Sequence, residues 1–181
     1  MTDSTFACLA LLEDEACQLY EFMMTKSESA GASLLLNEIS QESRTHRELF
    51  RQAGNIVGNT VSSMSDCMKQ MEPLFVHSVE FIRTVKNQVS NGMPFVEAVE
   101  KLVKFEEDAA NEEDLTSLYA ELTSATTLDI AMKRILEGIA QDEKRHAENL
   151  RLILEILKDR TSPVEAKALM RGRRVILEAH W

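Results

Sequence analysis

The sequence predicts an all-α fold in which four long helices form two antiparallel hairpins. Only 6 Gly and 3 Pro occur in 181 residues, a composition that favours long helices over a sheet with many turns. Apolar residues recur at helical spacing through several long segments. Two connections between these segments are short and one is long, which pairs the helices into hairpins. The length suits one domain, spanning residues 1–181.

The helical segments follow from the periodicity and from the residues that interrupt it. The four long helices are predicted over 4–25, 32–53, 94–122 and 129–158. The first hairpin thus occupies 1–53 and the second 94–160. Residues 54–93 carry two weaker helical pieces, about 62–71 and 73–90, and form a long helical crossover. A short C-terminal helix is predicted over 161–181, where Pro163 suits a first helical position.

Charge and the N-terminal residues exclude several classes of protein. A net charge of −10 argues against nucleic acid or an anionic membrane as the main partner. The N-terminal apolar run has no basic flank and is broken at Glu13 and Asp14, so it does not read as a signal peptide. No apolar stretch is long enough to span a bilayer. We therefore expect a cytoplasmic protein.

Cysteine is used sparingly. Cys8, Cys17 and Cys67 are an odd number and include no CxxC pair, which predicts neither a disulfide framework nor a thiolate zinc site. Cys17 follows Glu13 by one helical turn, so it either borders a site at Glu13 or is a buried structural thiol.

An internal repeat relates the first helices of the two hairpins. A shift of 99 residues superposes Phe6, Glu13 and Tyr20 on Phe105, Glu112 and Tyr119. Because the three types recur every seven residues, each Glu shares a helical stripe with two aromatics, and that stripe should face the core. A charged carboxylate there is costly unless it is paired or bound to a metal.

The second helices of the hairpins repeat as well. A shift of 100 residues superposes Ile39, Gln41, Arg44, His46 and Glu48 on Ile139, Gln141, Lys144, His146 and Glu148. Glu143 and His146 are three residues apart, so both side chains can reach one cation. The spacing from Glu13 to His46 nearly equals that from Glu112 to His146, which places each Glu level with its His.

With these residues the chain resembles the ferritin-like di-iron carboxylate proteins, particularly their rubrerythrin-type branch without a rubredoxin module. That class has a Glu from each of two helices and a Glu-x-x-His from each of the other two. The resemblance implies that Glu13 and Glu112 are terminal carboxylates, His46 and His146 imidazole ligands, and Glu143 a bridging carboxylate. It implies iron, as a di-iron pair, although manganese or zinc suits the same donors.

The same resemblance implies a non-haem di-iron oxidoreductase that reacts with peroxide, oxygen or ferrous iron. Without paired CxxC motifs the electrons would come from a separate donor protein or from a reductant. Bundles of this type commonly form homodimers. The alternative is an iron-binding protein for storage or delivery without turnover, or a scaffold with a degenerate metal site.

One position departs from the family pattern. Ser43 stands where the repeat of Glu143 would lie. A hydroxide or bound anion, an acidic residue in a shifted position, or one metal instead of two would compensate. Glu42 points about 100° away from Ser43 on a regular helix. A one-residue π-bulge would rotate it inward, and otherwise it is a surface residue.

Other candidate residues have ordinary alternatives. Tyr20 and Tyr119 either hydrogen-bond the ligands across the bundle or fill the core. His77 and His180 have no acid at ligand spacing and are expected to be partly exposed.

Overall fold

The computed structural model describes residues 5–58, 63–71, 73–111 and 130–160, and within these ranges the protein is entirely helical, without strands. This confirms the all-α prediction. The helices are α1 (Thr5–Lys26), α2 (Ala30–Val57), α3 (Met64–Gln70), α4 (Pro73–Ser90), α5 (Phe95–Asn111) and α6 (Ile130–Arg160). Among the described helices, none combines the length and the apolarity needed to cross a membrane.

Local signals explain where α2 begins and ends. The Ser29 side chain accepts a hydrogen bond from the backbone N–H of Ala32, as an N-cap does. Gly54 does not end the helix as predicted. The helix continues to Val57, because the left-handed backbone that terminates it is adopted by Gly58, at φ 76°.

The remaining boundaries lie close to the predicted ones where they can be compared. Helices α3 and α4 fall within the predicted 62–71 and 73–90, and α6 covers residues 130–158 of the predicted 129–158. Helix α5 is described as far as Asn111. The rest of the predicted third helix and the predicted C-terminal helix lie outside the described residues.

The helices pack in a way that brings the two halves of the chain together. Helix α1 lies along α2, α6 packs against both α5 and α2, and α4 contacts α1 and α5. A disulfide between Cys8 and Cys67 joins α1 to α3. The sequence analysis predicted no disulfide framework and did not anticipate this single bridge. An odd count leaves Cys17 free but does not prevent one bridge between residues distant in sequence.

The core is layered along the helix axes. One apolar cluster draws on Leu19 and Met23 of α1, Leu36 and Ile39 of α2, and Leu150 and Ile153 of α6. A second cluster draws on Phe6 and Leu9 of α1, Phe50 and Ala53 of α2, and Leu136 and Ile139 of α6. Along each of the three helices, the residues between these clusters form a polar layer enclosed by apolar side chains.

Candidate metal centre

Three side chains from three helices converge in the polar layer. Glu13 of α1, His46 of α2 and Glu143 of α6 each offer one ligand atom, and these atoms lie within 4.8 Å of one another. Glu13 and His46 are buried, and the Glu143 side chain is 25% exposed. The sequence predicted all three as ligands. Two carboxylates in such surroundings require a cation, either a proton on the imidazole or a metal ion.

The imidazole of His46 is oriented for metal binding. Its Nε2 lies 3.0 Å from Oδ2 of Asp142, and since a carboxylate can only accept, Nε2 carries the hydrogen. Its Nδ1 is buried without a hydrogen-bond partner, 3.5 Å from an oxygen of Glu13 and 3.5 Å from an oxygen of Glu143. In the neutral ring Nδ1 therefore presents a lone pair to the space between two carboxylates.

The spacing of these three donors is compatible with one transition-metal ion. Metal–nitrogen and metal–oxygen bonds of about 2.0–2.2 Å separate opposite donors by at most about 4.4 Å. The distances from Nδ1 of His46 to an oxygen of Glu13 and to an oxygen of Glu143 are both 3.5 Å, inside this separation.

Glu143 contacts both histidines. Its Oε1 faces Nδ1 of His46 at 3.5 Å, and its Oε2 faces Nδ1 of His146 at 3.4 Å. The two imidazole rings are 6.0 Å apart between centroids. One carboxylate whose two oxygens serve two separate imidazoles has the disposition of a bridging ligand, the role that the resemblance implies for this residue.

The Nε2 atom of each histidine contacts a carboxylate on the helix that carries the other histidine. Nε2 of His46 faces Asp142 and Nε2 of His146 faces Glu42, each at 3.0 Å, and residues 42 and 142 are equivalent in the repeat. Arg145 contacts both outer carboxylates, including Oδ1 of Asp142 at 2.8 Å. Carboxylates on the far nitrogens of metal-binding histidines fix the tautomer and the ring orientation.

Both sequence alternatives for Glu42 were wrong. Helix α2 is a regular α-helix from Ala30 to Val57, without a π-bulge that would rotate Glu42 towards Ser43. Nor is Glu42 an ordinary surface residue, since its side chain is only 21% exposed and contacts His146. It belongs to the outer carboxylates that orient the histidines. Ser43 itself is buried in the polar layer, as its place in the repeat requires.

A further buried carboxylate was missed by the sequence analysis. Glu106 of α5 is 7% exposed, and its Oε1 accepts a hydrogen bond of 2.5 Å from the hydroxyl of Tyr20. Tyr20 therefore fills the core and also hydrogen-bonds an acid of α5, although not one of the predicted ligands. Glu112 and Tyr119 lie outside the described residues, so the prediction that Glu112 is a ligand stays a prediction.

Glu106 was missed because the inward face of α5 is not the face that the sequence analysis predicted. Phe105, the anchor of the predicted 99-residue shift, stacks on Phe81 of the crossover at 4.2 Å between ring centroids, so it faces α4. The buried positions follow a shift of 93 residues instead. Under that shift Phe6, Leu9, Ala10 and Glu13 superpose on Val99, Leu102, Val103 and Glu106, and all eight are buried. That apolar pattern was the available signal for Glu106.

The cluster is strongly coupled electrostatically. Burial acts to lower the pKa of both histidines, but the neighbouring Glu13 and Glu143 carboxylates outweigh it and raise the pKa of His46 to about 11. The pKa of His146 is raised to about 9, mainly through Glu143. Burial raises the pKa of Glu106 to about 7, and Glu143 adds to that rise. Without a metal, the imidazoles thus hold protons where a metal would supply positive charge.

Two other residues have no part in the cluster. Cys17 is a buried free thiol whose Sγ lies 3.5 Å from the hydroxyl of Ser40, which agrees with a structural role. His77 is exposed, as predicted, and His180 lies outside the described residues.

Comparisons of the chain with protein-family models, with curated proteins and with solved structures find no match. The chemistry of this centre has therefore to be inferred from its donors, their spacing and their burial.

Proposed function

We propose that this chain is a ferritin-like four-helix bundle that binds iron through its carboxylate and histidine side chains, and that it acts as a non-haem di-iron oxidoreductase. Its reactants would be peroxide, oxygen or ferrous iron. The four bundle helices would be α1, α2, α5 and α6, with α3 and α4 forming the crossover.

The buried Nδ1 of His46 is the observation that carries this proposal. It has no hydrogen-bond partner, although buried polar atoms almost always have one. Its neighbours are oxygens of Glu13 and Glu143, and its opposite nitrogen is already bonded to Asp142. A metal ion between the three groups satisfies Nδ1 and neutralises the carboxylates at once.

A second metal is proposed on the other side of Glu143. His146 presents its Nδ1 to the second oxygen of Glu143. The negative charge of Glu106 also helps to raise the pKa of His146. Glu106 would then be the terminal carboxylate of this second ion, as Glu13 is of the first. Three carboxylates leave one positive charge of two divalent ions unbalanced, and Ser43 leaves room beside them for an exogenous anion or reactant.

Bound iron would supply Lewis acidity and a one-electron redox couple to this layer. The chain itself supplies orientation and proton control. Arg145 and the two outer carboxylates hold both imidazoles in the metal-binding tautomer. The apolar clusters on either side of the layer limit access of water. A separate electron-donor protein and a homodimeric assembly remain part of the proposal.

Iron binding without turnover is the second candidate, and Ser43 favours it. A buried serine stands where the family pattern places a second bridging carboxylate. An asymmetric site with fewer anionic ligands stabilises the higher charge of oxidised iron less well. On this alternative the protein stores or delivers iron and does not cycle between valence states.

Metal titration tests the binding itself. Protein stripped by a chelator and reloaded anaerobically with ferrous iron should bind close to two equivalents per chain. A Glu13→Gln, His46→Asn double variant should lose the first site. Glu107→Gln is the matched control, because Glu107 lies on α5 but pairs at the surface with Arg151. Wild-type protein that takes up no more iron than the double variant would refute the metal centre.

The stoichiometry also identifies the second terminal carboxylate. Glu106→Gln should reduce binding from two equivalents to one, whereas Glu112→Gln should leave two if Glu106 is the ligand. The reverse result would restore Glu112 to the role that the sequence first suggested.

Stopped-flow absorbance separates the enzyme from the binder. Ferrous-loaded protein is mixed with oxygen or with hydrogen peroxide, and oxidation of the iron is followed over time. Oxidation faster than that of free ferrous iron under the same conditions supports the oxidoreductase. Tight binding with no acceleration by either oxidant would leave storage or delivery as the function.

A further inference from the structure

A second group of potential metal ligands lies away from the carboxylate layer, around the Cys8–Cys67 disulfide. Helix α3 is short, and its inward residues at positions i, i+3 and i+4 are Met64, Cys67 and Met68; Met71, the residue that ends the helix, packs against the same cluster. Each of these four residues carries sulfur. Met and Cys together make up only 9 plus 3 of the 181 residues, so an apolar stripe without a constraint would rarely consist of them alone.

The stripe packs against the other cysteine. Cys8 and Cys67 have no exposed surface, and they form one buried cluster with Phe75 and Val79. The three methionines are partly buried against that cluster. The three methionines, with Leu11 and Leu12, thus pack against the cluster that contains the two buried cysteines. The backbone N–H of Met71 bonds to the carbonyl of Cys67 at 2.9 Å, which keeps the end of the stripe close to the cysteine.

The two cysteines are positioned to hold one ion between them. Their Cα atoms are 5.4 Å apart, so after reduction both sulfurs remain within reach of one soft cation. Thiolate and thioether ligands select copper(I) over the harder divalent metals, while carboxylate and imidazole suit iron and manganese. The chain therefore has two separate groups of potential metal ligands, one suited to soft cations and the other to harder ones.

We propose that the reduced form of this cluster is a binding site for a soft monovalent cation, copper(I), held by the thiolates of Cys8 and Cys67 and assisted by the methionines of α3. This site is independent of the iron centre proposed above. Met64, Met68 and Met71 pack against the cluster and would supply a further weak ligand, because thioether sulfur is polarizable and its side chain is flexible.

The chemistry requires a two-electron reductant, for which a dithiol or a phosphine serves. The disulfide accepts two electrons and two protons and becomes two thiols. Copper(I) then displaces both protons and forms two copper–sulfur bonds, so the bis-thiolate complex carries one negative charge and two protons are released. Re-oxidation of the pair to the disulfide removes both thiolates and abolishes the site.

Competition with a chromophoric copper(I) chelator, bathocuproine disulfonate, tests the proposal. The protein is reduced with a phosphine, desalted under anaerobic conditions and titrated with copper(I) alone. Reduced wild type should remove one equivalent from the chelator, and the oxidised protein should remove none with comparable affinity. A Cys8→Ser, Cys67→Ser variant should bind at least about 100-fold more weakly, while Cys17→Ser, the matched control, should behave as wild type.

The methionines need a variant that preserves packing. Met64→Leu, Met68→Leu and Met71→Leu together keep an apolar stripe of similar volume. This triple variant should form the disulfide normally but bind copper(I) about tenfold more weakly when reduced. Because the cysteine variant also lacks the disulfide, circular dichroism must show that it is folded. If it is not, protection of the reduced wild-type thiols against an aromatic disulfide reagent by one equivalent of silver(I) is measured instead.

Two results would overturn the proposal. One is equal copper(I) binding by reduced wild type and the cysteine variant, which retains every carboxylate and histidine of the other centre. The other is full reactivity of the Cys8 and Cys67 thiols in the presence of one equivalent of copper(I) or silver(I). Loss of iron binding in the Glu13 and His46 variant has no bearing on either measurement, so the two metal proposals fail separately.

Discussion

The metal-free protein should become less stable as the pH rises from 7 to 9, because its buried histidines are held protonated by carboxylates. The pKa of His46 is raised to about 11 and that of His146 to about 9, against about 6.5 in an unfolded chain. For a base whose folded pKa is raised, the added stability is fully present below the unfolded pKa. It is lost as the pH rises towards the folded pKa.

The size of the effect follows from these values. Between pH 7 and 9 the unfolded chain has largely released both protons while the folded protein keeps most of them. Each retained proton lowers the free energy of unfolding by about 1.4 kcal/mol per pH unit. Two histidines over two units give at most about 5 kcal/mol, a large part of the 5–15 kcal/mol typical of a domain. Glu106, with its pKa about 7, contributes in the same direction only at lower pH.

Urea unfolding followed by circular dichroism, in the presence of a chelator, measures this dependence at pH 6, 7, 8 and 9. A His46→Gln, His146→Gln variant is the control and should show a much flatter dependence above pH 7. Metal should act in the opposite sense, since it competes with the same protons and therefore binds more tightly as the pH rises. A metal-free stability that stays constant or increases from pH 7 to 9 would refute the protonated cluster.

Three further substitutions test the parts of the layer. Arg145→Met should weaken iron binding about tenfold, the lower end for residues that orient metal ligands, while Arg151→Met, at an exposed pair, should leave the iron dissociation constant unchanged. Tyr20→Phe should reduce the free energy of unfolding by about 1–3 kcal/mol at pH 8, because the Glu106 carboxylate loses its hydrogen-bond donor. The loss should be smaller at pH 5, where Glu106 is protonated. An equal loss at both pH values, measured by urea unfolding, would contradict this. Ser43→Glu should lower the melting temperature of metal-free protein, because it buries another charge. The same variant should bind the second iron more tightly than the wild type does. Weaker binding of the second iron in a titration would show that the serine leaves room for a reactant.

The sequence predicted the three residues whose ligand atoms converge, one on each of three helices: Glu13, His46 and Glu143. Glu143 and His146 were predicted together because ligand spacing on a helix is local: three residues bring two side chains to one face. His46 was predicted from its equivalence to His146 in the repeat. Pairing across helices is not local. Glu106 was missed because the aromatic repeat through Phe105 was taken as the inward stripe, whereas Phe105 stacks on a helix of the crossover. Aromatic residues pack against any apolar neighbour, so their spacing alone does not identify the face that lines a site.

The outer carboxylates show a second limit of sequence reasoning. Glu42 lies about 100° from the ligand face of α2, and on its own helix it belongs to the surface. It becomes part of the centre because α6 packs beside α2 and places Nε2 of His146 against it. The disulfide has the same explanation, since Cys8 meets Cys67 only when the crossover folds back on α1. Contacts of this kind depend on where neighbouring helices lie.

The repeat also indicates how the two halves of the centre differ in charge. Positions 42 and 142 both carry acids, and each acid bonds the histidine of the other half, so the outer carboxylates keep the two-fold relation. The two halves differ at two pairs of equivalent positions. Position 43 is serine where 143 is glutamate, and position 45 is threonine where 145 is arginine. In both pairs the charged residue, Glu143 or Arg145, lies on α6 and the neutral one lies on α2. Arg145 balances the outer acids and Glu143 serves both imidazoles, so one helix holds the two halves together. The α2 half is left with a neutral, buried position in the polar layer, Ser43. Under the proposed function, an external anion or oxidant would approach the metals there without meeting a fixed negative charge.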